Sequence, residues 1–120
     1  MRKKEVLTGS REFGAVYNRG KSVGDRYVVF FYKKNGLPYT RKGFLASKKV
    51  GNAVVRNRAR RLMKESARLM DPLPAGYDMI FIARNTISGK SCQEVKRSME
   101  SAVRRAGLTK KNGKGQKQDR

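Results

Sequence analysis

Residues 47–64 read SKKVGNAVVRNRARRLMK, a run that joins a dense cationic surface to a regular apolar stripe. At 100° per residue, one arc of roughly 120° collects the small and apolar side chains: Leu69, Leu62, Val55, Ser66, Ala59, Met70 and Met63. A second arc of about 140° collects the polar and cationic ones: Arg56, Arg60, Lys64, Asn57, Arg68 and Arg61. The run therefore predicts a helix from about Asn52 to Met70. Because like charges at four-residue spacing repel, an anionic partner is expected to offset the cost of the cationic face.

Composition points to the same kind of partner. The chain has 120 residues with 30 Lys and Arg against 9 Asp and Glu, so its net charge is +21. A charge of this sign and size favours a polyanion. The length predicts one domain, from residue 1 to residue 107, followed by a basic flexible tail at 108–120.

Cysteine usage and hydropathy favour the cytoplasm. Cys92 is the single cysteine, which precludes an intrachain disulfide, and the chain has no histidine to join a zinc site. No apolar run approaches the roughly 20 residues that span a bilayer, so no membrane partner is expected.

The remaining elements alternate between helix and strand. Residues 10–20 carry apolar side chains at helical spacing, and residues 27–32 are aromatic and β-branched and end at the turn dipeptide Asn35-Gly36. The chain is expected to return through residues 41–46. A buried strand follows at 77–84, and Ser91 and Glu94 have the spacing of a capping box that opens a helix to about Ala106. This order predicts an α+β fold in which helices cover one face of a sheet.

The aromatic strand has two apolar faces. If Val28, Phe30 and Tyr32 pack on helices, the alternation of a strand leaves Tyr27, Val29 and Phe31 on the other face. There they would be available to stack on nucleobases, with Phe13 and Tyr17 of the first helix walling the same cleft. The alternative is that all of these aromatic side chains belong to the core.

The chain offers little for catalysis of its own. It lacks histidine, and its nine acidic residues are scattered along the sequence without the spacing of a metal site. Cys92 has no histidine partner to activate it. We therefore expect no catalytic residue and no metal ligand in this protein.

Residues 47–58, together with Arg60, Arg61 and Leu62, resemble the signature of the bacterial ribonuclease P protein subunit. The similarity extends over roughly residues 6–106. It implies a small α/β sandwich with a mostly antiparallel sheet and a left-handed β-α-β crossover through the basic helix, although the general preference is for right-handed crossovers.

The resemblance also implies a function and its sites. The protein would be the protein subunit of the endoribonuclease ribonuclease P, which removes the 5′ leader of precursor tRNA with chemistry and magnesium ions supplied mainly by a catalytic RNA. One protein would bind one RNA. The RNA-facing residues would be Lys48, Lys49, Asn52, Arg56, Asn57, Arg58, Arg60, Arg61 and Lys64. Phe13, Tyr17 and Phe31 would line the cleft for the single-stranded leader.

Two other functions remain open at this point. A ribosomal-type structural RNA-binding protein would share the charge, the size and the basic tail. An autonomous endonuclease would cleave RNA without an RNA partner.

Overall fold

The computed structural model describes residues 6–7 and 10–108, which form four strands and three α-helices. Their bounds in chain order are α1 Ser10–Arg19, β1 Lys21–Gly24, β2 Val28–Lys34, β3 Arg41–Ala46, α2 Ala53–Leu69, β4 Tyr77–Ala83 and α3 Cys92–Arg105. A short 3-10 helix, Asn85–Ile87, lies between β4 and α3. The α+β class predicted from the sequence is confirmed.

The strands form one mixed sheet in the order β1-β2-β4-β3. β1 pairs with β2 and β2 with β4 in antiparallel fashion, whereas β3 and β4 are parallel. The chain returns through residues 41–46 as predicted, but β2 and β3 are not the hairpin partners that the Asn35-Gly36 turn suggested, because β4 lies between them. Gly36 does have the positive φ, 72°, that the sequence suggested, but the turn connects strands that are not neighbours. The parallel pair β3 and β4 is joined through α2, and the left-handed sense of that crossover stays a prediction.

The main core lies between one face of the sheet and the helices α2 and α3. Alternate residues of β2 and β4 point into it, among them Phe30 and Phe81, whose rings stack with centroids 4.8 Å apart. Met63 of α2 and Met99 of α3 are fully buried against them. Leu108 is also buried there, so the packed unit extends one residue beyond the predicted boundary. The rest of the predicted tail lies outside the described residues.

Helix α1 packs on the opposite face of the sheet. Its Val16 is fully buried with Ile80 of β4 and with Leu7, whose backbone N–H donates to the carbonyl of Lys42 at 2.9 Å. The expectation that helices cover only one face is therefore wrong. The physical reason is that β2 and β4 are apolar on both faces, so burial of either face stabilises the fold.

The helix ends follow capping signals in the sequence. The side chain of Asn52 accepts from the N–H of Val55 at 3.0 Å and starts α2. Ser91 and Glu94 form the predicted reciprocal capping box of α3. Within the apolar arc predicted for α2, Ala59, Met63 and Ser66 are buried, but Leu69 is 50% exposed. It is the last residue of the helix and lies at the margin of the arc, so that part of the prediction is wrong.

Candidate nucleic-acid interface

The cationic residues of α2 wrap around the whole solvent side of the helix. Ala59, Met63 and Ser66 mark the buried side. If positions around the helix axis are counted from Arg56 at 100° per residue, Arg60 comes first, Arg61 next and Arg58 last, at about 200°. Arg56 and Arg58 therefore lie at opposite margins of the face that α2 presents to solvent.

The turn that leads into α2 adds two exposed lysines. Residues 47–50 form a turn in which the N–H of Val50 donates to the carbonyl of Ser47 at 3.0 Å. Lys48 and Lys49 in this turn are exposed. They lie directly before the helix N-terminus, where the helix dipole adds to their positive potential. Asn52, which the sequence assigned to the RNA-facing surface, uses its side-chain oxygen as the cap.

Two arginines on this surface are positioned by the fold. The Nε atom of Arg56 is buried and has no hydrogen-bond partner among the residues that the structure describes. Arg60 donates to the side-chain oxygen of Asn57, one turn away. Because the Nε atom of Arg56 is covered by the protein, it cannot itself meet an acceptor that approaches from solvent.

The acidic side chain on this helix neutralises little of the charge. Glu65 is paired with Arg68, and hydrogen bonding to that guanidinium lowers the pKa of Glu65. Arg58, Arg61 and Lys64 remain exposed around it. The surface formed by the 47–50 turn and the solvent side of α2, which we name the basic surface, therefore keeps a strong positive potential.

The second site is the half-buried sheet face beside α1, for which we keep the name cleft. The ring of Tyr17 in α1 meets the ring of Phe31 in β2 edge to face, with centroids 5.1 Å apart and planes at 88°. Tyr17 is 37% exposed, and burial raises the pKa of its hydroxyl above the ordinary value of 10.0. Phe13 lies against Gly43, where an added Cβ would meet its ring at 2.8 Å. The structure thus brings Phe13, Tyr17 and Phe31 together.

Val29 joins the cleft, but Tyr27 does not. Val29 is half-buried and pairs in register with Ile82 on the same sheet face as Phe31. Tyr27 precedes β2 and is buried in the main core, with the Lys90 ammonium 5.5 Å from its ring centroid. Its assignment to the cleft is wrong because strict strand alternation begins only at Val28.

Two further residues complete the floor of the cleft. Leu45 of β3 and Ile82 of β4 are half-buried beside the α1 cluster and pair with each other in parallel register. Strand alternation within β4 could have predicted Ile82 on this face, because its neighbour Phe81 points into the main core on the other face. Leu45 could be placed only once β3 was known to lie next to β4.

A groove of about 730 Å³ lies at the edge strand β3, between Phe13 and α2. Phe13 and Lys42 line its cleft side, and Lys64 and Arg68 of α2 line the other. The groove therefore adjoins the Phe13 end of the cleft and the basic surface.

The described residues hold no group of three His, Cys, Asp or Glu side chains placed to bind a metal ion. Nor does any helix within 6–7 and 10–108 have the length and apolarity needed to cross a membrane. The arrangement that is present suits binding of a polyanion with unstacked, apolar parts.

Comparisons with known proteins agree with these features. The profile of the family described as Ribonuclease P matches residues 1–107. The ribonuclease P protein component of Pelotomaculum thermopropionicum is 41% identical over 107 residues, which cover 88% of this chain and 96% of the relative.

Solved structures show the same fold. A Staphylococcus aureus RNase P protein mutant with defective mRNA degradation activity superposes with a TM-score of 0.80 at 28% identity, over 88% of this chain and 91% of that one. The RNase P protein from Thermotoga maritima gives 0.72 at 29% identity, over 81% and 93%.

Proposed function

Because the chain belongs to the bacterial ribonuclease P protein family, we propose that it binds the catalytic RNA of ribonuclease P and the 5′ leader of precursor tRNA. In this proposal the holoenzyme hydrolyses the phosphodiester bond that frees the mature 5′ end. The RNA supplies the chemistry, and the protein grips the leader and neutralises phosphates.

The basic surface is the proposed contact with the catalytic RNA. Guanidinium groups bind phosphate oxygens in a two-pronged geometry, and this surface displays Arg58 and Arg61 in exposed positions. The row of exposed cationic side chains on α2, whose acidic residue Glu65 is already paired with Arg68, is the observation that carries the assignment most directly.

The cleft is the proposed leader site. Single-stranded RNA exposes base faces that stack on aromatic side chains, at about 1–3 kcal/mol per base. Phe31 and Tyr17 hold each other edge to face, which leaves ring surface open to the cleft. The neutral Tyr17 hydroxyl adds a hydrogen-bond donor beside a base.

The accompanying assignments follow from the same proposal. Magnesium ions are held mainly by the RNA, one protein binds one RNA, and the assembly works in the cytoplasm. The net charge of +21 favours this division of labour, because a strongly cationic protein attracts phosphates and repels free magnesium ions.

The decisive experiment is cleavage of precursor tRNA by a bacterial ribonuclease P RNA at low magnesium, with the protein present, absent and alone. We expect leader removal to be stimulated only when RNA and protein are combined. Intact RNA binding without stimulation would favour the ribosomal-type alternative, which also predicts co-sedimentation with ribosomes. Cleavage of precursor tRNA or of an mRNA by the protein alone would contradict the assignment of the chemistry to the RNA.

A further inference from the structure

A second groove lies on the other margin of α2, away from the cleft. It has a volume of about 430 Å³ and runs between α2 and the turn that follows the 3-10 helix. Val55, Ala59 and Leu62 line it from α2, and Ile87 lines it from the opposite side. Its size falls within the roughly 300–1,000 Å³ of typical ligand pockets, and its wall is mainly apolar.

The rim of this groove is cationic. Arg58 and Arg61 stand on the α2 side, and Lys90 stands on the other. The Lys90 ammonium lies 5.5 Å from the ring centroid of Tyr27, in a cation–π contact that favours this position. Glu65, the acidic residue of the lining, is engaged by Arg68. A ligand with an apolar body and anionic ends would match this arrangement.

We propose that the groove receives one unpaired nucleobase of the catalytic RNA, with the adjoining phosphates on Arg58, Arg61 and Lys90. The inference rests on the proposed function, because it takes the basic surface as the RNA contact. A duplex presents phosphates and hydroxyls but keeps its base faces stacked, so a duplex alone cannot fill an apolar groove. An unstacked base supplies the apolar face, and its own backbone supplies the charges.

The test fills the groove without changing any charge. Ala59 is 4% exposed and lines the groove, so Ala59→Leu adds three carbons at the wall of the space proposed for the base. Binding of a bacterial ribonuclease P RNA is measured across a salt series. We expect the affinity to fall about 5- to 150-fold, because one stacked base is lost. The slope of log affinity against log salt concentration, which we call the salt slope, should stay unchanged because no phosphate contact is removed.

The control is Ala75→Leu, the same chemical change at an exposed position in the loop before β4. It should bind RNA like the unaltered protein. Equal binding by the Ala59→Leu and Ala75→Leu proteins would overturn the inference and leave the proposed function standing. Failure of the unaltered protein to bind the RNA would overturn both.

A second measurement covers the case in which Ala59→Leu melts at a lower temperature or fails to fold. Ser88 is exposed and lines the groove, so a photoreactive benzophenone side chain there reports on the occupant. Illumination of the complex should cross-link Ser88→p-benzoylphenylalanine to an unpaired nucleotide. Cross-links confined to paired regions, or none at all, would overturn the inference.

Discussion

Asp25 joins the turn between β1 and β2 to α3, and its charge should make the fold sensitive to acid. Its carboxylate accepts from the hydroxyl of Ser98 at 2.8 Å and forms an ion pair with Arg105. Burial opposes ionisation, but hydrogen bonds from the backbone of Arg26 and from the Arg105, Ser98 and Ser101 side chains prevail. Together they lower the pKa of Asp25 from 3.8 to about 2.

The size of the effect follows from this shift. A shift of about 1.8 units at about 1.36 kcal/mol per unit gives about 2.4 kcal/mol. Because the Arg105 side chain is 52% exposed, solvent screens the pair, and we expect about 1–2 kcal/mol. The folded pKa lies below the unfolded one, so this stability is present above about pH 4 and is lost as pH falls through 2.

The assay is urea unfolding of the unaltered and Asp25→Asn proteins at a series of pH values from 7 to 2. The variant should be less stable by about 1–2 kcal/mol at pH 7, and the difference should shrink towards zero near pH 2. Asp71→Asn is the control, since Asp71 is exposed and the substitution raises the net charge equally. A difference that does not change with pH, or equal losses in both variants, would refute the reasoning.

Three further predictions concern the proposed interfaces. Phe31→Ala should weaken precursor tRNA binding to the holoenzyme by about 5- to 150-fold, because one base stack is lost, and should leave mature tRNA binding unaffected. Tyr32→Ala, on the opposite sheet face, should show no such selectivity in the same binding titration. Arg58→Ala should weaken assembly with the catalytic RNA, measured by filter binding, and should reduce the slope of log affinity against log salt concentration by about 0.7–0.9. Identical effects from Phe31→Ala and Arg58→Ala would contradict the proposal of two separate surfaces. If about six phosphates are neutralised, the affinity of the unaltered protein for the RNA should fall about a thousandfold between 50 and 200 mM salt; a flat profile would contradict the electrostatic contribution.

Local features were predictable because their causes are local. The helical period and the Asn52 cap placed α2 within a residue of its observed bounds, and the capping box placed α3. The alternation of β2 correctly separated Phe30 from Phe31. Each of these signals depends on side chains a few positions apart.

The strand order could not be obtained in the same way. β1 escaped prediction because Lys21–Gly24 is short and only Val23 packs on the main core. The insertion of β4 between β2 and β3 depends on pairings across more than 30 residues, such as Leu45 with Ile82. No periodicity within a single segment specifies which segments become neighbours.

The placement of β4 links the two proposed interfaces physically. The cleft floor needs Leu45 beside Ile82, which requires β3 and β4 to be parallel neighbours. Parallel neighbours cannot be joined by a tight turn, so the chain must cross over through a long connection. In this chain that connection is α2, the helix that carries the basic surface. The pairing that completes the cleft therefore also fixes the cationic helix to the same edge of the sheet, so the proposed contact with the catalytic RNA and the proposed leader site are neighbours.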